Sequence, residues 1–179
     1  MSSSTSTPTH RSWLAQLCTG RPHQVIDREG HPYLRRWFLI PHNRVANVYL
    51  HRFTSSDDPV PHCHPWTFLS IVLAGRYDEV TDHFTRRRGV GSIAYRPATW
   101  RHSVQLIPDG NAERPCWTLV VTGRWVRNWG FWCPRQDGTR RFVPWQEFGA
   151  GGCGETTTGS AVTRDSVSVR RVTTENSDS

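Results

Sequence analysis

From residue 33 onward, short runs that alternate apolar and polar positions are broken by Gly, Pro, Asn or Asp about every ten residues. Residues 33–40 (YLRRWFLI) are closed by Pro41, and residues 47–53 (NVYLHRF) by the turn composition of Ser55-Ser56-Asp57-Asp58-Pro59. Residues 67–74 (TFLSIVLA) stop at Gly75, which opens a hairpin into residues 76–84 (RYDEVTDHF). Arg86 to Gly89 turns the chain back, residues 91–96 (GSIAYR) lead to Pro97, and residues 102–107 (HSVQLI) end at the turn Pro108-Asp109-Gly110-Asn111. Further strands are predicted over residues 116–122 and 124–133, with a last short element at 142–148. Helical spacing shows in one place, where Trp13, Leu14 and Leu17 share a face of residues 10–18. The pattern predicts an all-β sandwich or barrel with a short N-terminal helix, which the nine tryptophans help to fill, most of them in the core.

The two ends lack this pattern. Residues 1–9 are small and polar, and residues 149–179 are rich in Gly, Ser and Thr, so both are expected to be disordered tails around one domain at 10–148. Five cysteines without CxxC spacing and no apolar leader predict free thiols in a reducing, cytoplasmic setting, and no run is long enough to span a bilayer. The net charge of +7 raises the question of a polyanionic partner, but the basic residues are scattered. Only Arg86-Arg87-Arg88 form a run, read here as a solvated turn, and no nucleic-acid motif accompanies it. Every basic side chain is arginine, which excludes lysine Schiff-base chemistry and Walker-type phosphate loops.

The chemistry concentrates at His62-Cys63-His64 and His102. Two histidines two apart leave the same face of an extended strand, while Cys63 points to the other face and packs. With His102 brought alongside, three imidazoles form a facial nitrogen set that suits a divalent metal and leaves positions open. The bland reading is three hydrogen-bonded histidines without a metal.

These residues resemble the motifs of the cupin superfamily. His62 and His64 match its paired histidines and Gly75 its closing glycine, while Gly91, Pro97 and His102 match the second motif, with Thr99 at the inner glycine position. The resemblance covers about residues 60–107 and implies a cupin-type jelly roll. Phe68 stands where the family's glutamate ligand usually lies, so the set is similar to that of three-histidine thiol dioxygenases, which use non-haem Fe(II). As a whole the chain resembles small uncharacterised cupins of bacteria and their phages.

The expectation is one divalent metal on His62, His64 and His102, with Fe(II) favoured and Zn, Mn or Ni open. The leading function is Fe(II)-dependent oxidation of a small polar thiol or carboxylate. A metal-assisted isomerase or lyase, and a non-catalytic ligand-binding module, stand as alternatives. Arg52 and Arg96 are candidates to clamp a substrate carboxylate, and Glu79 and Tyr77 to move a proton. His51, His83 and Glu79 are weighed as fourth ligands or as neighbours of the set, and Tyr95 as a further hydroxyl. A small-molecule substrate and a homodimer are the expected partners, with nucleic acid disfavoured.

Overall fold

The computed structural model describes residues 10–28, 31–151, 153 and 167–171. The chain opens with α1 (His10–Cys18), followed by β1 (Gln24–Arg28), β2 (His31–Phe38) and β3 (Asn47–Phe53). Next come β4 (Phe68–Ala74), β5 (Arg76–Val80), β6 (Thr85–Gly89), β7 (Ile93–Arg96) and β8 (Ser103–Leu106). A small hairpin of β9 (Pro108–Asp109) and β10 (Ala112–Glu113) precedes β11 (Cys116–Thr122), β12 (Gly130–Pro134) and β13 (Arg140–Pro144). The last elements are α2 (Trp145–Gly151) and β14 (Val167–Arg171).

Seven strands form one antiparallel sheet in the order β14-β1-β2-β3-β11-β4-β7. The facing layer is assembled from two smaller sheets, β6-β5-β8 and β12-β13, and the segment carrying His62 joins them. His62 exchanges backbone hydrogen bonds with His102 at 2.9 and 3.1 Å, while Cys63 N donates to Gly130 O and Trp132 N to Pro61 O. A stretch too irregular to be a regular strand thereby closes the second layer. The result is a β-sandwich with a cavity of about 320 Å³ between its layers.

Alternation decides what faces that cavity. On β3, Tyr49 and His51 are buried on the inner side; on β4 the inner residues are Phe68, Ser70 and Val72, and on β11 they are Thr118 and Val120. Phe38, Tyr49, Phe68 and Val120 pack together with Trp13 of α1, whose Nε1 donates to Phe38 O at 2.8 Å. Burying one such side chain contributes roughly 1.5–3 kcal/mol. Gly75 has φ +77°, and a Cβ there would lie 2.5 Å from Pro115 O, so the turn from β4 into β5 requires glycine.

Several expectations are corrected. Arg86-Arg87-Arg88 lie within β6 and not in a turn, because the hairpin turns earlier, where the Thr81 hydroxyl accepts from His83 N and Phe84 N and donates to Phe84 O. Residues 124–129 are not strand, and β12 begins at Gly130. The element at 142–148 divides into the end of β13 and the start of α2. Cys133 and Cys153 are joined in a disulfide, so the expectation of free thiols holds only for Cys18, Cys63 and Cys116. The stretch expected to be a C-terminal tail supplies the end of α2 and all of β14, which pairs with β1. Residues 1–9, 152, 154–166 and 172–179 lie outside the described residues. Among the described residues no helix is long and apolar enough to cross a membrane.

Candidate metal centre

His62 sits directly opposite His102 across their backbone bridge, so both side chains leave the same face, and His64 follows two positions on. The ring centroids of the three histidines are 4.9, 5.2 and 5.2 Å apart, close to an equilateral triangle. One nitrogen from each lies within 4.8 Å of the others, and His64 Nε2 is 2.9 Å from His102 Nε2. Two nitrogens held about 2.0–2.1 Å from one metal are themselves about 3 Å apart, so this pair already has the required spacing.

Carboxylates stand behind two of the rings. Glu79 Oε1 is 3.2 Å from His102 Nδ1, which places the ring proton on that side and leaves the Nε2 lone pair aimed at the other two histidines. Asp57 is pinned to β8 by two hydrogen bonds with the Val104 backbone, and its Oδ2 lies 3.9 Å from His62 Nδ1. Burial and the nearby His102 charge push His62 down to about 3. Burial, with the charges of His62, His102 and Arg36, holds His64 well below the usual imidazole value. Both are therefore neutral donors near neutral pH, the form a metal requires. By geometry and spacing, the three residues fit a divalent transition metal.

Arg96 donates from Nε to Glu79 Oε1 at 2.6 Å and from Nη2 to Oε2. Arg88 Nε reaches Oε2 at 3.0 Å, and Trp100 Nε1 reaches Oε1 at 3.2 Å. Burial alone would raise the Glu79 carboxyl, but the hydrogen bonds and charges of His102 and Arg96 hold it below the usual carboxylate range. Glu79, 1% exposed, is thus an ionised buried strut with both oxygens occupied, and Arg96 is its partner. The two residues expected to move a proton and to clamp a substrate are thus engaged with each other, with Glu79 also bound to Arg88, Trp100 and His102.

Arg52 stands apart from the histidine cluster. It is out of phase with Tyr49 and His51 on β3 and lies over Trp117, on the outer face of the large sheet. Tyr77 lies in the core with Val72, Val104 and Leu106 and lines the cavity; burial first, then Glu79, pushes its hydroxyl up to about 12. His51 lines the cavity, but its Nε2 accepts from Arg36 at 2.8 Å and it is not one of the clustered ligands. His83 is exposed in the β5–β6 turn, and Tyr95 is 66% exposed. Cys63 is fully buried and unbonded, as its phase predicts.

Phe68 packs edge-on to His64 at 4.7 Å, so an aromatic ring stands beside the cluster. The walls beyond it are aromatic. Phe131 lies 5.8 Å from His62, and Trp66, Trp125, Trp129 and Trp145 complete the lining, so four of the nine tryptophans serve the cavity. Three residues that matter here were not singled out from the sequence: Asp57, Arg88 and Arg36.

Two histidines on the strand-like segment before β4, a glycine at its end, and a third histidine leading β8 now stand in one sandwich. The sandwich and its histidine cluster resemble those of cupins. No protein-family model and no curated protein matches the chain. Solved cupin-like structures do. The polyketide cyclase RemF from Streptomyces resistomycificus is 21% identical over 53% of this chain and 72% of its own, with a TM-score of 0.43. A cupin superfamily protein from Desulfitobacterium hafniense is 13% identical over 51% and 77%, with a TM-score of 0.42. KdgF from a Halomonas species is 16% identical over 52% and 83%, also at 0.42. Likeness at this level says nothing about substrate or reaction.

Proposed function

We propose that this protein is a metal-dependent enzyme that holds one divalent transition metal on His62, His64 and His102 and oxidises a small polar molecule in the cavity beside them. The observation that carries this reading is the convergence of three histidines, one hydrogen-bonded to a buried carboxylate and one with a carboxylate 3.9 Å away, on one cavity. Fe(II) is the favoured ion: it accepts three imidazoles with positions left open, and when bound it supplies Lewis acidity and redox chemistry with dioxygen.

The protein's own groups divide the remaining work. Glu79 orients the His102 ring through a hydrogen bond, Phe68 and Phe131 pack against His64 and His62, and the tryptophans shape the space for substrate. Glu79, the carboxylate closest to the centre, is consumed by Arg88, Arg96, Trp100 and His102. A mechanism that shuttles protons through Glu79 therefore loses its base, which favours oxidation over isomerisation or elimination.

The test is metal analysis of anaerobically purified protein together with oxygen uptake on a panel of thiols and amino acids. One equivalent of iron and substrate-triggered uptake, both absent in His64→Ala, are the expected outcome. Turnover without oxygen would make the protein a metal-assisted isomerase or lyase. Failure of the folded protein to take up any transition metal would leave a ligand-binding module and end the enzymatic reading.

A further inference from the structure

The inner face of the large sheet carries a polar row that the metal centre does not use. Register places Gln24 of β1 beside Arg36 of β2, Arg36 beside His51 of β3, and His51 beside Thr118 of β11. All four line the cavity. Arg36 Nε donates to His51 Nε2 at 2.8 Å and Nη1 to Gln24 Oε1 at 3.0 Å, and the guanidinium carbon sits 4.8 Å over the Tyr49 ring. Every one of these partners is uncharged: Gln24 is an amide, Tyr49 presents its face, and burial and Arg36 itself keep His51 neutral. Among the described residues Arg36 makes no ion pair, and its Nη2 has no hydrogen bond. At the end of the row, Thr118 is 2% exposed and its Oγ1 has no partner at all. A guanidinium fixed by two neutral acceptors, with a donor to spare, is oriented for an anion that the protein does not itself provide.

We propose that Arg36, set by Gln24 and His51, is the anchor for the carboxylate of a small substrate whose other end meets the three histidines. The inference rests on the metal-enzyme reading for that second contact, but the anchor is a property of the large sheet alone. Arg36 and the three histidines line the same cavity, so the two subsites share it. That cavity, near the lower end of the roughly 300–1,000 Å³ typical of ligand pockets, limits the substrate to a compact molecule. Its aromatic lining favours an apolar body between the two polar ends. Arg36 is here a substrate-binding residue, while Gln24 and His51 position it.

Calorimetric or NMR titration of metal-free protein with 3-phenylpropionate and its amide tests the anchor without interference from carboxylate binding to a metal. The acid is expected to bind and the amide to bind about tenfold or more weakly, the range of a charge-assisted pair. Arg36→Gln should abolish the preference, Arg36→Lys should retain part of it, and Arg52→Gln on the outer face should leave it intact. Equal binding of acid and amide by the wild-type protein would overturn the proposal whether or not any variant folds. So would an undiminished preference in folded Arg36→Gln. A parallel cobalt titration separates the two readings. Normal metal uptake without acid preference removes the anchor and keeps the metal centre, whereas acid preference without metal uptake keeps the anchor and removes the enzyme.

Discussion

The two walls of the cavity treat charge in opposite ways. On the small-sheet side, Glu79 is surrounded by Arg88, Arg96, Trp100 and His102, and every donor that can reach the carboxylate does so. On the large-sheet side, Arg36 is held only by neutral groups and Thr118 by none. Burying an ion is tolerable when its partners are complete, so the first wall is a finished frame that orients a ligand histidine. The second wall is complementary to something absent from the fold. Saturation marks what the protein needs in order to stand, and incompleteness marks where it meets another molecule.

The largest effect is expected from breaking the finished wall. Glu79→Ala strips the shared counter-charge from Arg88 and Arg96, whose side chains are only 11% and 7% exposed. Leaving buried charges unpaired costs about 3–5 kcal/mol, so urea unfolding should show a loss of this order. Glu79→Gln keeps the shape and some hydrogen bonds but no longer fixes the His102 tautomer, and metal affinity should fall about 10–100-fold. The outer side of the same hairpin is the control. Arg87 pairs with Asp78 where its side chain is 59% exposed, and Arg87→Ala should leave the unfolding midpoint essentially unchanged. A large loss there, or none at Glu79, would erase the distinction between frame and surface.

An effect of intermediate size comes from acid, acting on the histidines that lie between the walls. His62 is pushed down to about 3, and His64 and His51 lie well below the usual imidazole value, in each case mainly through burial. In the unfolded chain each takes up a proton near 6.5. Below that pH the unfolded state binds more protons than the folded one, so stability falls as pH drops from about 6.5 toward 3. Glu79 does not produce this loss: its folded value is depressed, so its contribution is present above about 4.5 and disappears only in stronger acid. Urea midpoints of the metal-free protein at pH 7, 5.5 and 4.5 should therefore decline steadily. A flat profile would mean that the histidines are already charged in the fold.

How much of this was legible beforehand depends on what each residue needs in order to be placed. The three histidines were readable because spacing and phase are local properties, and β3 and β11 were delimited correctly for the same reason. Arg36 was not, since Arg35 and Arg36 are adjacent and only the pairing of β2 with His51 on β3 decides which one faces the cavity. Arg52 was assigned to the site by nearness in sequence, although the phase of Tyr49 and His51 already turned it outward. Arg88 sat inside a basic run whose ordinary reading is solvent, and the register Tyr77↔Arg88 brings it under Glu79. Asp57 had the composition of a turn and gained its role from β8, 47 residues away. Cys153, the partner of Cys133, and β14 lay in a stretch read from its composition as a tail. Local alternation thus gives the faces, while long-range register chooses among neighbours.

The smallest expected effect has the opposite sign and probes the unfinished wall. Thr118 Oγ1 is buried without a partner, and an unsatisfied hydroxyl in such a place costs about 1–3 kcal/mol relative to one that is bonded. Thr118→Val replaces it by a methyl group of nearly the same shape. The substitution should therefore stabilise the ligand-free protein by about 1 kcal/mol in urea unfolding, where most buried substitutions destabilise. It leaves the Arg36 fork and its two neutral partners in place, so any weakening of carboxylate binding should be smaller than that caused by Arg36→Gln. A gain in stability with binding retained would identify Thr118 as the outer end of a row whose working part is Arg36. A clear loss of stability would show that the hydroxyl is already satisfied, and the large-sheet wall would then be as finished as the one it faces.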